Sequence, residues 1–263
     1  GTLMQLLSGI MIGKLGDQVI AANNVVNSFY ALFTMMISGC IGGAVVLSAQ
    51  YWGKKEKENI KSLLTITFCL CLLISLAGII ITGLFPEKCI MMYTDDRSLL
   101  EYGCSYLKYL FFSLIPYGIY MVISQMISSM GYVKFGFVIE LFNSAISTGL
   151  GYVLINGLFG LPQMGLAGYG IALCFSRVIC MIASIFYLAF LNDPMEIKPG
   201  DLFRLPGKGL FRLYVKTDYP IFISDSLMML VSMFQTMIAG RVSTEYITAN
   251  SIVHNIWMTA ALF

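Results

Sequence analysis

The sequence predicts an all-α polytopic membrane protein built as two lobes related by a parallel repeat, and three observations carry that expectation. Hydrophobic residues make up 58% of the 263 and charged residues 11%, too little polar surface for a water-soluble globule. Apolar runs long enough to cross a bilayer recur along the chain, separated by short polar breaks. Third, Gly13 to Val26 reads much like Gly240 to Val253, 227 positions later: five of the fourteen pairs are identical (Gly13/Gly240, Ile20/Ile247, Ala22/Ala249, Asn23/Asn250, Val26/Val253), and Lys14/Arg241 keeps its charge. Each copy joins two apolar helices by a short polar turn, the pattern of two related halves.

Eight crossings are expected, over 1–13 (partial), 24–50, 62–85, 105–130, 135–156, 167–191, 215–239 and 246–263. Between them lie turn-forming breaks: Gly53-Lys54-Lys55, Pro86-Glu87-Lys88, Gly131 to Lys134, Gly160-Leu161-Pro162, Pro194 to Gly207, and Ser243-Thr244. Gly16, Gly39, Gly42, Gly43 and Gly78 read as close-packing points, and Pro116 as a kink in the fourth helix. Basic residues gather on the cytoplasmic side of a membrane. One set of alternate connections holds Lys54, Lys55, Lys57, Lys61, Lys134, Lys198, Arg204, Lys208, Arg212 and Lys216, whereas the other holds Lys14, Lys88, Arg97 and Arg241. The chain is therefore expected to start on the cytoplasmic side of a cell membrane. An even number of crossings separates the two repeat copies, so both point the same way and the lobes are related by an axis along the membrane normal.

The only long polar connection sets the expected organisation: residues 1–200 as the first lobe, 201–214 as a basic amphipathic inter-lobe linker suited to an anionic membrane surface, and 215–263 as the start of the second lobe. A span already under way at Gly1, and a second copy that breaks off at Phe263, imply a fragment holding eight of about twelve helices. A net charge of +2 gives no reason to expect nucleic acid, and a monomer in the lipid bilayer is the simplest expectation. Of seven cysteines, only Cys89 and Cys104 fall in a charged connection where a disulfide is conceivable. With one histidine and no ligand spacing, neither a metal nor another cofactor is expected; without a His-Glu-x-x-His or paired-aspartate motif, neither is an enzyme.

Ionisable groups at membrane depth are functional candidates by default. Asp225 in the seventh helix is the foremost. Glu140 in the fifth helix has Asn143 on nearly the same face, and the adjacent antiparallel sixth helix offers Arg177 as a contact. Helical rise places Glu140 and Arg177 at depths about 10 Å apart, so that a structural salt bridge or two separately hydrated residues is the plain alternative. Asn23, Asn27 and Gln50 in the second helix are matched by Asn250 and His254 in the eighth, with Asn23/Asn250 and Asn27/His254 at the repeat offset. Helix capping and interhelical hydrogen bonds are the plain alternative for these residues. Seventeen methionines and many aromatic residues suit a deformable pocket for bulky organic cations, though a lipid-facing surface consumes the same side chains.

Six motifs in register resemble the multidrug and toxic compound extrusion (MATE) family of transporters. They are Ile10-Met11-Ile12-Gly13-Lys14-Leu15-Gly16 with Ala21-Ala22; Gly42-Gly43-Ala44 through Ala49-Gln50-Tyr51-Trp52-Gly53-Lys54-Lys55; Phe85-Pro86 with Tyr93-Thr94-Asp95-Asp96; Tyr106-Leu107; Tyr152 through Pro162; and Met164-Gly165 through Gly170-Ile171-Ala172. The resemblance implies a secondary active antiporter that exports organic cations, drugs or toxic compounds in exchange for protons or sodium by alternating access. A lipid-linked saccharide flippase of the same superfamily, or a degenerate member with weak transport, is the alternative. The chain departs from the family pattern where a first-helix aspartate is usual, since Ser8 stands there, and where two fifth-helix asparagines are usual, at Ser147 and Gly151. Its likeness is kept at Pro220 to Asp225, where relatives often place a glutamate after a proline, and this shifts the expected coupling to the second lobe.

Overall fold

In the computed structural model, residues 9, 11–13, 15–93, 98–160, 162–188 and 207–242 are described. They form α1 (Asp17–Gly53), α2 (Lys57–Leu84), α3 (Pro86–Met91), α4 (Ser98–Phe112), α5 (Leu114–Ser129), α6 (Val133–Asn156), a 3₁₀ turn at Leu158–Gly160, α7 (Gly165–Phe186) and α8 (Lys208–Val242). Six of the eight expected crossings fall here, with α4 and α5 together making one span bent by 40°. The first and eighth lie outside the described residues, except for a helical end at residues 11–13. So does the second repeat copy beyond residue 242.

Local chemistry accounts for most boundaries. The polar turn before α1 is shorter than expected: Gly16 adopts φ 106° and the helix begins at Asp17. A Cβ on Gly16 would meet nothing within 4 Å, so this glycine serves the left-handed backbone and not close packing. Asn23 and Asn24 consequently lie well inside a helix and are not caps. Pro86 disfavours helical geometry at Phe85, ending α2, and occupies the first turn of α3. Pro116 has no N–H to offer Phe112, and the chain breaks at Ser113. Gly157, at φ 67°, closes α6 in the left-handed form. Residues 208–214, expected in the polar connection, form the opening turns of α8.

Hydroxyls buried in α2 are satisfied within their own helix, where lipid would offer no partner. Thr65, Thr67, Ser75 and Thr82 each donate to the carbonyl four residues earlier. Outward faces are bare and apolar, with Leu73, Ile80, Phe137, Phe142 and Ile182 all exposed. These surfaces and the helix lengths make this a multi-pass membrane protein. The cysteines are free, Cys89 and Cys104 included. Burial first, and the neighbouring Cys104 second, push the Cys89 thiol above its ordinary range, which keeps it protonated and inert.

α1 is the central helix. It packs against α2, α4, α5 and α8, while α7 packs against α4, α5 and α6. Phe29 and Phe33 of α1 meet Phe111 of α4 at ring separations of 5.6 and 5.3 Å. A Cβ on Gly78 of α2 would lie 3.0 Å from Phe33 and 3.1 Å from Leu114, so the packing expected at this glycine is present. Gly78→Val should therefore force α2 away from α1 and α5 and destabilise the protein by about 1–3 kcal/mol, the usual range for overpacking. Thermal unfolding in detergent checks this: an unchanged midpoint would mean that the junction is loose.

Candidate functional site

Three polar clusters lie inside the helical core, and a fourth lies between α1 and α8. The first surrounds Arg177 of α7, which is 9% exposed. Its Nη1 donates to the hydroxyls of Tyr30 on α1 and Ser113 at the α4–α5 break. The guanidinium lies 5.1 Å from the Tyr30 ring centroid and 4.9 Å from that of Tyr117 on α5. Desolvating a guanidinium is costly, and two hydroxyl acceptors and two aromatic faces offset part of that cost. Nε has no hydrogen-bond partner among the described residues. The group stays charged at any physiological pH, so the interior between α1, α5 and α7 is cationic.

The second cluster is a hydrogen-bonded chain across α5, α6 and α7. Ser176 Oγ donates to Asn143 Oδ1 at 3.0 Å, Asn143 Nδ2 to the Tyr120 hydroxyl at 3.3 Å, and that hydroxyl to Glu140 Oε2 at 3.4 Å. Asn143 and Ser176 are buried and Glu140 is exposed. No ion pair joins Glu140 to Arg177 among the described residues. The two groups belong to separate clusters: Glu140 accepts from Tyr120, and Arg177 donates to Tyr30 and Ser113.

In the third cluster, Asn27 Nδ2 donates to Asn23 Oδ1 at 2.8 Å along α1, and Tyr106 of α4 donates to Asn27 Oδ1 at 3.3 Å. Tyr106 stacks on Tyr169 at 6.3 Å. Tyr169 also explains Gly151: a Cβ there would lie 3.0 Å from its ring, so an asparagine would need this packing to be rebuilt. Ser147 is buried and donates to Ser144 O at 3.1 Å. Gln50 is exposed near the end of α1 and joins none of these clusters. Asn250 and His254 lie outside the described residues.

The fourth cluster is the seam where α8 runs antiparallel to α1. Ser28 Oγ lies 3.3 Å from Thr236 Oγ1 at one end. At the other, the buried Asp218 accepts a hydrogen bond from the Gly43 amide at 2.9 Å, and Tyr214 donates to Cys40 O at 2.7 Å. Phe222 and Ile221 cover Gly39 and Gly42, where a Cβ would come within 3.0 and 2.9 Å, so these glycines do serve close packing. Asp225 is half-buried two turns beyond Asp218 on nearly the same face. Sequence reasoning singles out Asp225 and misses Asp218, together with Tyr30, Ser113, Tyr117, Tyr120, Tyr106 and Ser176. A carboxylate seven residues before Asp225 is the available signal for Asp218; hydroxyls scattered on separate helices offer none.

The family model described as MatE matches residues 1–153. Among curated relatives, the probable multidrug resistance protein YoeA of Bacillus subtilis is 25% identical over 244 residues, covering 91% of this chain and 51% of its own length. The probable multidrug resistance protein NorM of Bradyrhizobium diazoefficiens is 26% identical, covering 96% and 54%. The chain thus spans about half the length of these relatives. Among solved structures, an inward-facing MATE family multidrug resistance transporter of the MOP superfamily superposes with a TM-score of 0.84 at 18% identity, over 99% of this chain and 58% of that one. The MATE multidrug transporter DinF-BH gives 0.86 at 18%, over 98% and 57%.

The caged arginine gives a direct test of the first cluster. Tyr30→Phe removes one acceptor from a buried guanidinium and should destabilise the protein by about 1–3 kcal/mol. Arg177→Lys should also destabilise it, because an ammonium cannot reproduce the planar fork and ring contacts. Tyr152→Phe, at an exposed hydroxyl, is the control expected to unfold at the wild-type temperature.

Proposed function

From a chain that belongs to the MatE family, whose relatives are named for multidrug resistance, we propose a secondary active antiporter that exports organic cations or other toxic compounds in exchange for protons or sodium. The observation that carries the proposal is the half-buried Asp225 on the face of α8 that runs along α1. An ionisable group kept at membrane depth is expensive unless it exchanges a partner. A carboxylate there can hold a coupling cation or the charge of an organic cation, and competition between the two yields exchange. Sliding or rocking of α8 along α1 would expose that carboxylate to one side of the membrane and then the other.

In this reading α1 to α7 belong to a first lobe ending near residue 200, and α8 opens a second. The protein works as a monomer in the cell membrane, with the connection between α1 and α2, rich in lysine, on the cytoplasmic side. The cationic interior around Arg177 and the replacements at Ser8, Ser147 and Gly151 support coupling through α8 and not through the first lobe. Asn23, Asn27, Asn143 and Glu140 would line or brace the pathway, with Asn250 and His254 in the corresponding place in the second lobe.

The test follows uptake of a fluorescent organic cation into everted vesicles containing the intact protein, under an imposed proton gradient and then a sodium gradient. Wild type should show gradient-driven uptake, and Asp225→Asn should fall to the level of vesicles without the protein. Uptake absent under both gradients, with the protein shown to be folded, would overturn the antiporter reading. Uptake retained by Asp225→Asn would overturn the role given to Asp225.

A further inference from the structure

We propose that the groove between the first turns of α6 and the last turns of α7 binds an acyl chain of an anionic phospholipid, with Lys134 holding the headgroup phosphate. The groove has a volume of about 610 Å³. Ile139 and Cys180 are buried beneath it, and Phe142 and Phe186 stand exposed on either side. Ala183 adds no bulk between them. Among the described residues that line the groove, Lys134 alone is charged. Glu140 of α6 accepts from Tyr120 of α5 and is not part of the lining.

Length, position and charge identify the occupant. α6 and α7 are antiparallel neighbours, so Lys134 near the start of α6 and Tyr187 just past the end of α7 share one end of the groove. From Lys134 to Phe142 the helix rises about 12 Å, against about 15 Å for the hydrocarbon of one leaflet and about 30 Å for the whole bilayer. An acyl chain fits that length, whereas a helix crossing the membrane would need a groove about twice as long. At the open end, Tyr132 packs edge-on against Trp52 of α1 with ring centroids 6.4 Å apart, beside Lys54 and Lys55 of the lysine-rich α1–α2 connection. Aromatic rings of this kind sit at headgroup level, which puts Lys134 at phosphate depth with the groove running inward from it. Among the described residues no carboxylate pairs with Lys134. Phe135 and Tyr187 stack at 4.1 Å next to it, and α6 begins without a side-chain cap, so its first amides add partial positive charge at the same level. A zwitterionic headgroup would bring its own ammonium against these lysines, and a net anionic one would not.

The test takes the intact protein in a neutral detergent and counts bound lipid by native mass spectrometry as palmitoyl-oleoyl phosphatidylglycerol, or phosphatidylcholine with the same chains, is titrated in. Wild type should hold phosphatidylglycerol about fivefold more tightly than phosphatidylcholine, the contribution of one basic group at an anionic lipid. Lys134→Gln should remove that preference. Ala183→Trp fills the groove from an exposed position and should weaken both lipids, while its melting temperature without lipid stays that of wild type. Lys88→Gln, at an exposed lysine on the opposite end of the helices, should bind as wild type does. Equal retention of the two lipids by wild type, or a preference that survives Lys134→Gln, would overturn the proposal. The same loss in Lys88→Gln would overturn it in favour of diffuse surface charge, and displacement of the lipid by inorganic phosphate in favour of an anion site that takes no chain. A dimer that Ala183→Trp dissociates, with lipid binding unchanged, would assign the groove to a second copy of the protein.

Discussion

Lipid offers no hydrogen bonds, and that constraint determines how this chain arranges its polar side chains. Each must find its partner within the protein, so a single polar residue on one helix recruits groups on its neighbours. Arg177 is the clearest case: α1, the α4–α5 break and α5 each contribute a hydroxyl or a ring to it. The break at Ser113 is part of the same solution, since Pro116 removes an amide and the interrupted helix aims the Ser113 hydroxyl at the guanidinium. Bend, burial and charge at this point are one feature.

The second requirement is close approach. Helices in lipid gain little from hiding apolar surface, because the solvent is apolar too, so contact depends on shape. The glycines of α1 let α8 come to within backbone distance, and Gly78 and Gly170 do the same for α2 and α7 against aromatic neighbours. At Gly43 the missing side chain does more than admit a partner. It uncovers an amide for a carboxyl group to use, and an apolar packing stripe becomes a polar contact.

Much of this is legible in the sequence, for identifiable reasons. Hydropathy and turn residues are local, so the described spans and the breaks at Phe85-Pro86 and Gly131 can be read directly. The glycine stripe of α1 and the partners Glu140 and Asn143 can also be read, because helical spacing places them on one face. Gly16 misleads, because a glycine needed for φ and one needed for space look alike in one dimension. The hydroxyls of Tyr30, Ser113, Tyr120 and Tyr214 are not legible. A tyrosine in an apolar run resembles any other until the neighbouring helix is known.

Charge placement links these findings. The core between α1, α5 and α7 carries a guanidinium, and the two carboxyl groups at membrane depth in α8 lie on the stripe that faces α1. A cation or proton entering such a protein is repelled from the interior of the helical core and drawn to the seam. On the antiport reading proposed above, the seam is also the contact that would separate for the two ends of a transport pathway to open in turn. On that reading, acids placed there and a fixed positive charge in the core would couple ion occupancy to helix separation without a carboxylate in the first helix. The replacement at Ser8 is then consistent with a relocated acidic site and does not require the loss of coupling.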